Sequence, residues 1–69
     1  MYPNLMGMKA YHGLTSDEMG NILGISRNSY ESKMKSGRFT PKECKLLCQY
    51  FNKSFDYLFA TDDEITQGA

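Results

Sequence analysis

The chain has 69 residues, 41% of them apolar and 23% charged, and its net charge is zero. A chain of this length makes one small domain with no room for a deep cleft between lobes, and its composition excludes a disordered, collagen-like or coiled-coil protein. No apolar run approaches the roughly 18 residues of a membrane span, and the chain does not begin with a basic segment followed by an apolar stretch, so we expect no membrane association and a cytoplasmic location.

Helix signals are frequent in the first third of the chain. A weakly patterned first helix is predicted over about residues 4–11. The run Thr15-Ser16-Asp17-Glu18 is a capping box, in which the side chains of the first and last residues bond each other's backbone amides. It predicts a second helix over Ser16–Leu23, which Gly24 ends in a left-handed conformation.

A third helix is predicted from Arg27 to about Lys35, with Ser26 as its N-cap. Its only apolar residues are Tyr30 and Met34, and every other position is polar or charged. Such a helix is anchored to the core by two side chains and presents the rest of its surface to solvent or to a partner.

A second capping box, Thr40-Pro41-Lys42-Glu43, begins the most strongly patterned helix, predicted over residues 41–52, and Ser54 caps a last short helix. Aromatic residues are concentrated at this end of the chain. We expect most of them to be buried and one or two to be exposed, where they would suit a dimer contact. Residues 62–69 are predicted to be a flexible acidic tail, and strands are not supported because the chain has no valine and no tight-hairpin dipeptide.

Residues that carry catalytic or metal chemistry are sparse. Cys44 and Cys48 lie one helical turn apart and are interpreted as reduced core thiols, because free cysteine is among the most buried residue types. His12 is the only histidine, so the chain lacks the four cysteine and histidine ligands of a structural zinc site. Without paired carboxylates in an apolar setting or a glycine-rich phosphate loop, we expect no enzyme activity, catalytic residue, cofactor, metal or small-molecule substrate.

The charge is distributed unevenly along the chain. Residues 27–53 carry seven basic and two acidic side chains, a net charge of +5, whereas residues 1–26 and 54–69 carry −1 and −4. A concentration of basic charge is expected of a protein that binds a polyanion. On charge alone, an ordinary solvated helix surface is about equally compatible.

The second and third helices have the layout of a helix-turn-helix. Two helices that cross steeply over a tight turn require a small residue where their backbones approach, which Gly20 provides, and a positive φ, which Gly24 provides. The third helix begins with Arg27, Asn28 and Ser29, whose hydrogen-bonding side chains suit base edges in a DNA major groove.

Two stretches, LTSDEMGNILGISRNSYESKM and KSFDYLF, carry a resemblance to a known family. From about Asn4 to Phe59 the chain is similar to the Cro/repressor-like (lambda-repressor-like) helix-turn-helix domains that are common in phage and prophage regulators. The resemblance implies a compact, all-α, five-helix domain over residues 1–61. It also implies a transcriptional regulator, a phage repressor or Cro-like protein, that binds double-stranded operator DNA through the major groove, usually as a homodimer.

The resemblance assigns a DNA-binding surface by position. The start of the third helix falls where the family reads bases, and the start of the second falls where the family contacts a phosphate or supports the reading helix. The later cations would contact backbone phosphates. The predicted DNA-binding residues are Ser16, Arg27, Asn28, Ser29, Ser32, Lys33, Lys35 and Arg38.

Gly20 departs from the family pattern, and Glu31 is an unexpected charge on a helix that would contact DNA. The family more often has alanine where Gly20 lies, so we expect the second helix to be looser in this chain. Glu31 is awkward because phosphates repel a carboxylate. It either accepts from a cytosine amine, faces away, or pairs with Lys35 four residues on, and the pairing is favoured.

A second hypothesis keeps the fold without DNA binding, as an antitoxin-like or adaptor module that binds protein. The zero net charge and the acidic C-terminal region favour this alternative slightly. Arg27 and Asn28 would then be solvated residues of a protein-binding helix, and Lys33 and Lys35 would serve solubility. Salt-dependent retention of duplex DNA in a gel shift separates the two hypotheses.

Overall fold

The computed structural model describes residues 2–64, and all regular secondary structure within this range is helical. The all-α prediction is therefore confirmed for the described part of the chain. The helices are α1 (Pro3–Tyr11), α2 (Ser16–Leu23), α3 (Arg27–Ser36), α4 (Pro41–Phe51) and α5 (Phe55–Leu58), followed by a single turn, α6, over residues 62–64.

The turn α6 lies where the sequence predicted the beginning of a flexible acidic tail. Its first turn is capped, because the amide of Glu64 donates to Oγ1 of Thr61 at 3.4 Å. The run Thr61-Asp62-Asp63-Glu64 has the same spacing as the other two capping boxes, a signal that the sequence interpretation missed. The rest of the predicted tail, residues 65–69, lies outside the described residues.

Both predicted capping boxes are confirmed. At α2, Oγ1 of Thr15 accepts from the amide of Glu18 at 3.1 Å, and the Glu18 carboxylate accepts from the amide of Thr15 at 2.9 Å. At α4, Thr40 and Glu43 exchange the equivalent bonds at 3.2 and 2.9 Å. Reciprocal caps satisfy two orphan amides per helix, which matters for helices that are marginal on their own.

The connection between α2 and α3 is short and close-packed. Gly24 ends α2 with a φ of 73°, and Ser26 is the N-cap of α3. Gly20 is buried, and a Cβ at that position would lie only 2.7 Å from the carbonyl oxygen of Ile25. The missing side chain lets α2 approach the turn more closely than alanine would allow, which agrees with the expected need for a small residue at this position. The expectation that Gly20 loosens α2 stays a prediction.

Every one of the helices α1 to α5 contributes to one core. Leu5, Met19, Leu47 and Leu58 are fully buried, one each from α1, α2, α4 and α5. From α3, Tyr30 is buried and Met34 packs against the core partly covered, in agreement with the two predicted anchors. The exposed residues of α3 are Arg27, Asn28, Ser29, Ser32, Lys35 and Ser36.

The core also accounts for the cysteines. Both are free thiols, Cys44 buried and Cys48 half-buried, which agrees with the core interpretation. Burial raises the pKa of each thiol above its ordinary value, so both favour the protonated form.

Within residues 2–64, no helix combines the length and apolarity that crossing a bilayer requires, and no cluster of His, Cys, Asp and Glu is placed to hold a metal ion.

Candidate nucleic-acid interface

The first turn of α3 is held by serine side chains. Oγ of Ser26 accepts from the amide of Ser29 at 3.1 Å and donates to Oγ of Ser29 at 3.0 Å. The three residues that begin α3 are all exposed: Arg27, Asn28 and Ser29. The helix therefore starts with a fixed backbone and three uncovered polar side chains, as the sequence predicted.

A shallow polar depression of about 380 Å³ runs along one side of α3 and continues into the segment that follows the helix. It is lined by Asn28, Ser29, Ser32, Lys33, Ser36 and Arg38. All of these except Ser36 are predicted DNA-binding residues. Ser36 could have been found from the serine stripe Ser29, Ser32 and Ser36, which are spaced by three and four residues and share a helix face.

The remaining predicted residues lie elsewhere. Ser16 and Lys35 line a separate groove of about 630 Å³, which α1, the start of α2 and α3 form together. The other residues that line this groove are Met6, Lys9, Ala10, Tyr30, Glu31 and Met34. The structure therefore divides the predicted site: five residues line the polar depression, Ser16 and Lys35 line the groove, and Arg27, at the N-terminus of α3, lines neither.

Lys33 is not a free cation. Its ammonium lies 3.1 Å from Oε1 of Glu43 on α4, and both side chains are largely covered, with exposures of 24% and 10%. Burial by itself raises the pKa of Glu43, but the bonds from the Thr40 amide and from Lys33 outweigh it, so the pKa lies below its ordinary value. Sequence reasoning gave Lys33 either a phosphate contact or a role in solubility, and it missed the ion pair with Glu43 that joins α3 to α4.

Glu31 pairs with Arg27, not with Lys35. Nε of Arg27 lies 3.5 Å from Oε1 of Glu31, one turn back along α3. The predicted pairing with Lys35 is wrong. Arg27 and Lys35 are both four residues from Glu31, so spacing could not choose between them. The negative charge therefore sits beside the residue predicted to read bases.

Tyr30 anchors α3 without a hydrogen bond to its hydroxyl. The residue is 2% exposed, and the hydroxyl oxygen has no partner among the described residues. Burial, with a smaller contribution from the charge of Glu31, raises the pKa of Tyr30 to about 12. The ring contacts Phe39 with a centroid distance of 6.2 Å, which supports a structural role for Tyr30.

Two of the four aromatic side chains from Phe51 to Phe59 are exposed, so the number of exposed rings is as predicted, but the expected majority of buried rings is not found. Phe51 and Phe59 are buried, whereas Phe55 and Tyr57 are 57% and 44% exposed. The exposed ring of Phe55 borders a cavity of about 410 Å³ with a predominantly apolar lining, formed between α4 and the start of α5. This end of the molecule carries an apolar surface that is separate from the polar face of α3.

The chain matches no protein-family model, no curated protein and no solved structure in the comparisons made.

Proposed function

We propose that the protein is a sequence-specific, non-enzymatic DNA-binding regulator of the Cro/repressor-like helix-turn-helix kind. One observation carries the proposal: α3 begins with an uncovered polar face while the buried Tyr30 and the partly covered Met34 hold the helix to the core. A recognition helix must project in this way, because the major groove admits an α-helix only when its outer face is free.

The connection from α2 supports the same proposal. The left-handed Gly24 and the close approach at Gly20 make the turn compact, so α2 fixes the direction in which α3 projects. In this arrangement α3 would enter the groove with its N-terminal residues toward the bases, and α2 would cross the sugar-phosphate backbone. Ser16, at the start of α2, is then placed for a backbone contact.

The charges on and just after α3 also support DNA binding. Residues 27–38 carry four basic side chains and one acidic one, although the chain as a whole is neutral. Phosphate neutralisation supplies most of the sequence-independent affinity, and each good bidentate base contact adds about 1–3 kcal/mol of discrimination. Arg38 and Lys35 would supply phosphate contacts at low cost, whereas Lys33 would have to leave or share Glu43.

The proposal includes a homodimer on a pseudo-palindromic operator. A single domain with one short recognition helix contacts few base pairs, and two-fold pairing doubles the contacts at a spacing that the operator mirrors. The exposed Phe55 and Tyr57 belong to α5 and line no part of the polar depression, so they offer an apolar surface through which two copies would associate.

The decisive experiment selects duplexes from a random-sequence library with the purified protein and then measures binding at several salt concentrations. We expect an enriched sequence and an affinity that falls steeply as salt rises. If no duplex is retained at low salt, the proposal is wrong.

The alternative is a protein-interaction module with the same fold. The groove between α1 and α3 favours it, because Met6 is 55% exposed and the lining is more apolar than polar. On this alternative the groove would bind an apolar segment of another protein. Failure to retain DNA, together with loss of partner binding on Met6→Glu, would favour the module.

A further inference from the structure

We propose that Glu31 is a positioning residue that orients Arg27 toward a guanine and suppresses binding to DNA of random sequence. The inference rests on the proposed function and concerns the N-terminal part of α3, where Arg27 and Glu31 lie. Glu31 is the one acidic residue of α3, whose other exposed side chains are basic or neutral and polar, and the inference gives it a role.

The geometry of the ion pair leaves the reading end of Arg27 available. The contact joins Oε1 of Glu31 to Nε, the guanidinium nitrogen next to the aliphatic chain. A carboxylate that approaches Nε leaves the edge formed by the two terminal nitrogens available to another acceptor pair. Guanine presents two acceptors, O6 and N7, at the edge of the major groove, and a guanidinium pairs with them in a bidentate fashion. The ion pair with Glu31 thus holds Arg27 in an orientation in which its terminal nitrogens can donate to O6 and N7 of a guanine.

Stability of the fold does not explain the ion pair between Arg27 and Glu31. The two side chains are 59% and 44% exposed, and ion pairs as exposed as this one contribute little to stability. Tyr30 already attaches this turn of α3 to the core, and Ser26 already caps it. The effect of the pair is therefore expected where the dielectric falls, at the surface that DNA would cover.

The same carboxylate discriminates against random DNA. Binding of random sequence depends on neutralising phosphates, and Glu31 cancels part of the charge of Arg27 while repelling nearby phosphates itself. A duplex without guanine at the right position gives no bidentate contact to offset that repulsion. Glu31 therefore lowers the affinity for every duplex but lowers it least for the duplex that Arg27 reads.

The test uses the duplex that the wild-type protein selects from a random library. Each guanine in turn is replaced by 7-deazaguanine, which lacks the N7 acceptor, and dissociation constants are measured by fluorescence anisotropy for the wild type, Glu31→Gln and Arg27→Ala. We expect one guanine at which replacement weakens wild-type binding about tenfold or more. Glu31→Gln should reduce that factor to about twofold and bind a random duplex several-fold more tightly.

Two control variants distinguish a positioning role of Glu31 from a general effect of its negative charge. Asp63→Asn removes one negative charge far along the chain from α3, and it should leave discrimination at the guanine unchanged. Adding Glu31→Gln to Arg27→Ala should change the guanine discrimination no further, because Glu31 acts through Arg27. Superimposable thermal denaturation curves for wild type and Glu31→Gln show that the fold is intact.

Each remaining outcome overturns the inference. If Glu31→Gln keeps the full guanine discrimination, Glu31 does not position Arg27. If the loss occurs at a cytosine and persists in the Arg27→Ala background, Glu31 reads a cytosine amine directly. If the wild type selects no duplex at all, the proposed function itself fails, and the inference fails with it.

Discussion

The close approach of α2 to its following turn predicts that Gly20→Ala destabilises the protein. An ideal Cβ would lie 2.7 Å from the carbonyl oxygen of Ile25 and 3.2 Å from two backbone atoms of Ser26. Carbon–oxygen contacts settle at about 3.3–3.6 Å, so backbone must move by about half an ångström or more. Overpacking costs about 1–3 kcal/mol, and alanine regains about 1 kcal/mol of helix propensity. We expect a net loss of about 1 kcal/mol, which lowers Tm by about 4–8 °C in a domain of this size.

Gly7→Ala is the matched control. Gly7 lies inside α1, is exposed, and a Cβ there would meet no heavy atom within 4 Å. The same substitution should therefore stabilise the protein by about 0.5–1 kcal/mol through helix propensity alone. Urea and thermal denaturation followed by circular dichroism measure both variants. If Gly20→Ala is as stabilising as Gly7→Ala, the proposed tight contact between α2 and the turn is refuted.

Four further predictions use the same measurements or simple binding assays. Tyr30→Phe should stabilise the protein by about 1 kcal/mol in urea denaturation, because it removes a buried hydroxyl without a hydrogen-bond partner, and a loss of stability would show that the hydroxyl is bonded. Glu43→Gln should make the free energy of unfolding less dependent on pH in the acid range. The pKa of Glu43 is lowered in the folded protein, so its carboxylate stabilises the fold at pH values above the unfolded pKa, and this contribution is lost as the pH falls through the folded pKa. An unchanged acid slope would contradict this. Arg27→Ala should relax sequence preference, whereas Lys35→Ala should weaken all duplexes alike and flatten the salt dependence; equal losses on selected and random duplexes for Arg27→Ala would remove it from base reading. Phe55→Ser should lower the fraction of dimer in sedimentation velocity and leave the helical content unchanged. If the fraction of dimer does not change, Phe55 is not part of the dimer interface.

The helices could be predicted from the sequence because their signals are local. A capping box such as Thr15 to Glu18 specifies a helix start through side chains three residues apart, and a glycine such as Gly24 specifies the stop through its tolerance of positive φ. The same logic would have found α6, since Thr61 to Glu64 repeats the spacing. Tyr30 was also predictable as the anchor of α3, because the helix has few apolar side chains.

The sequence by itself determined the order of the helices, the tight turn after α2 and the polar character of α3, since each depends on residues within one or two turns of each other. Only the tertiary structure decided which polar residues share a surface. It placed Asn28 and Arg38 in one depression and Lys35 in another groove, and it gave Lys33 a partner on α4. The physical reason is that electrostatic partners are chosen by distance in space, and residues far apart in sequence come within reach only after the core has packed.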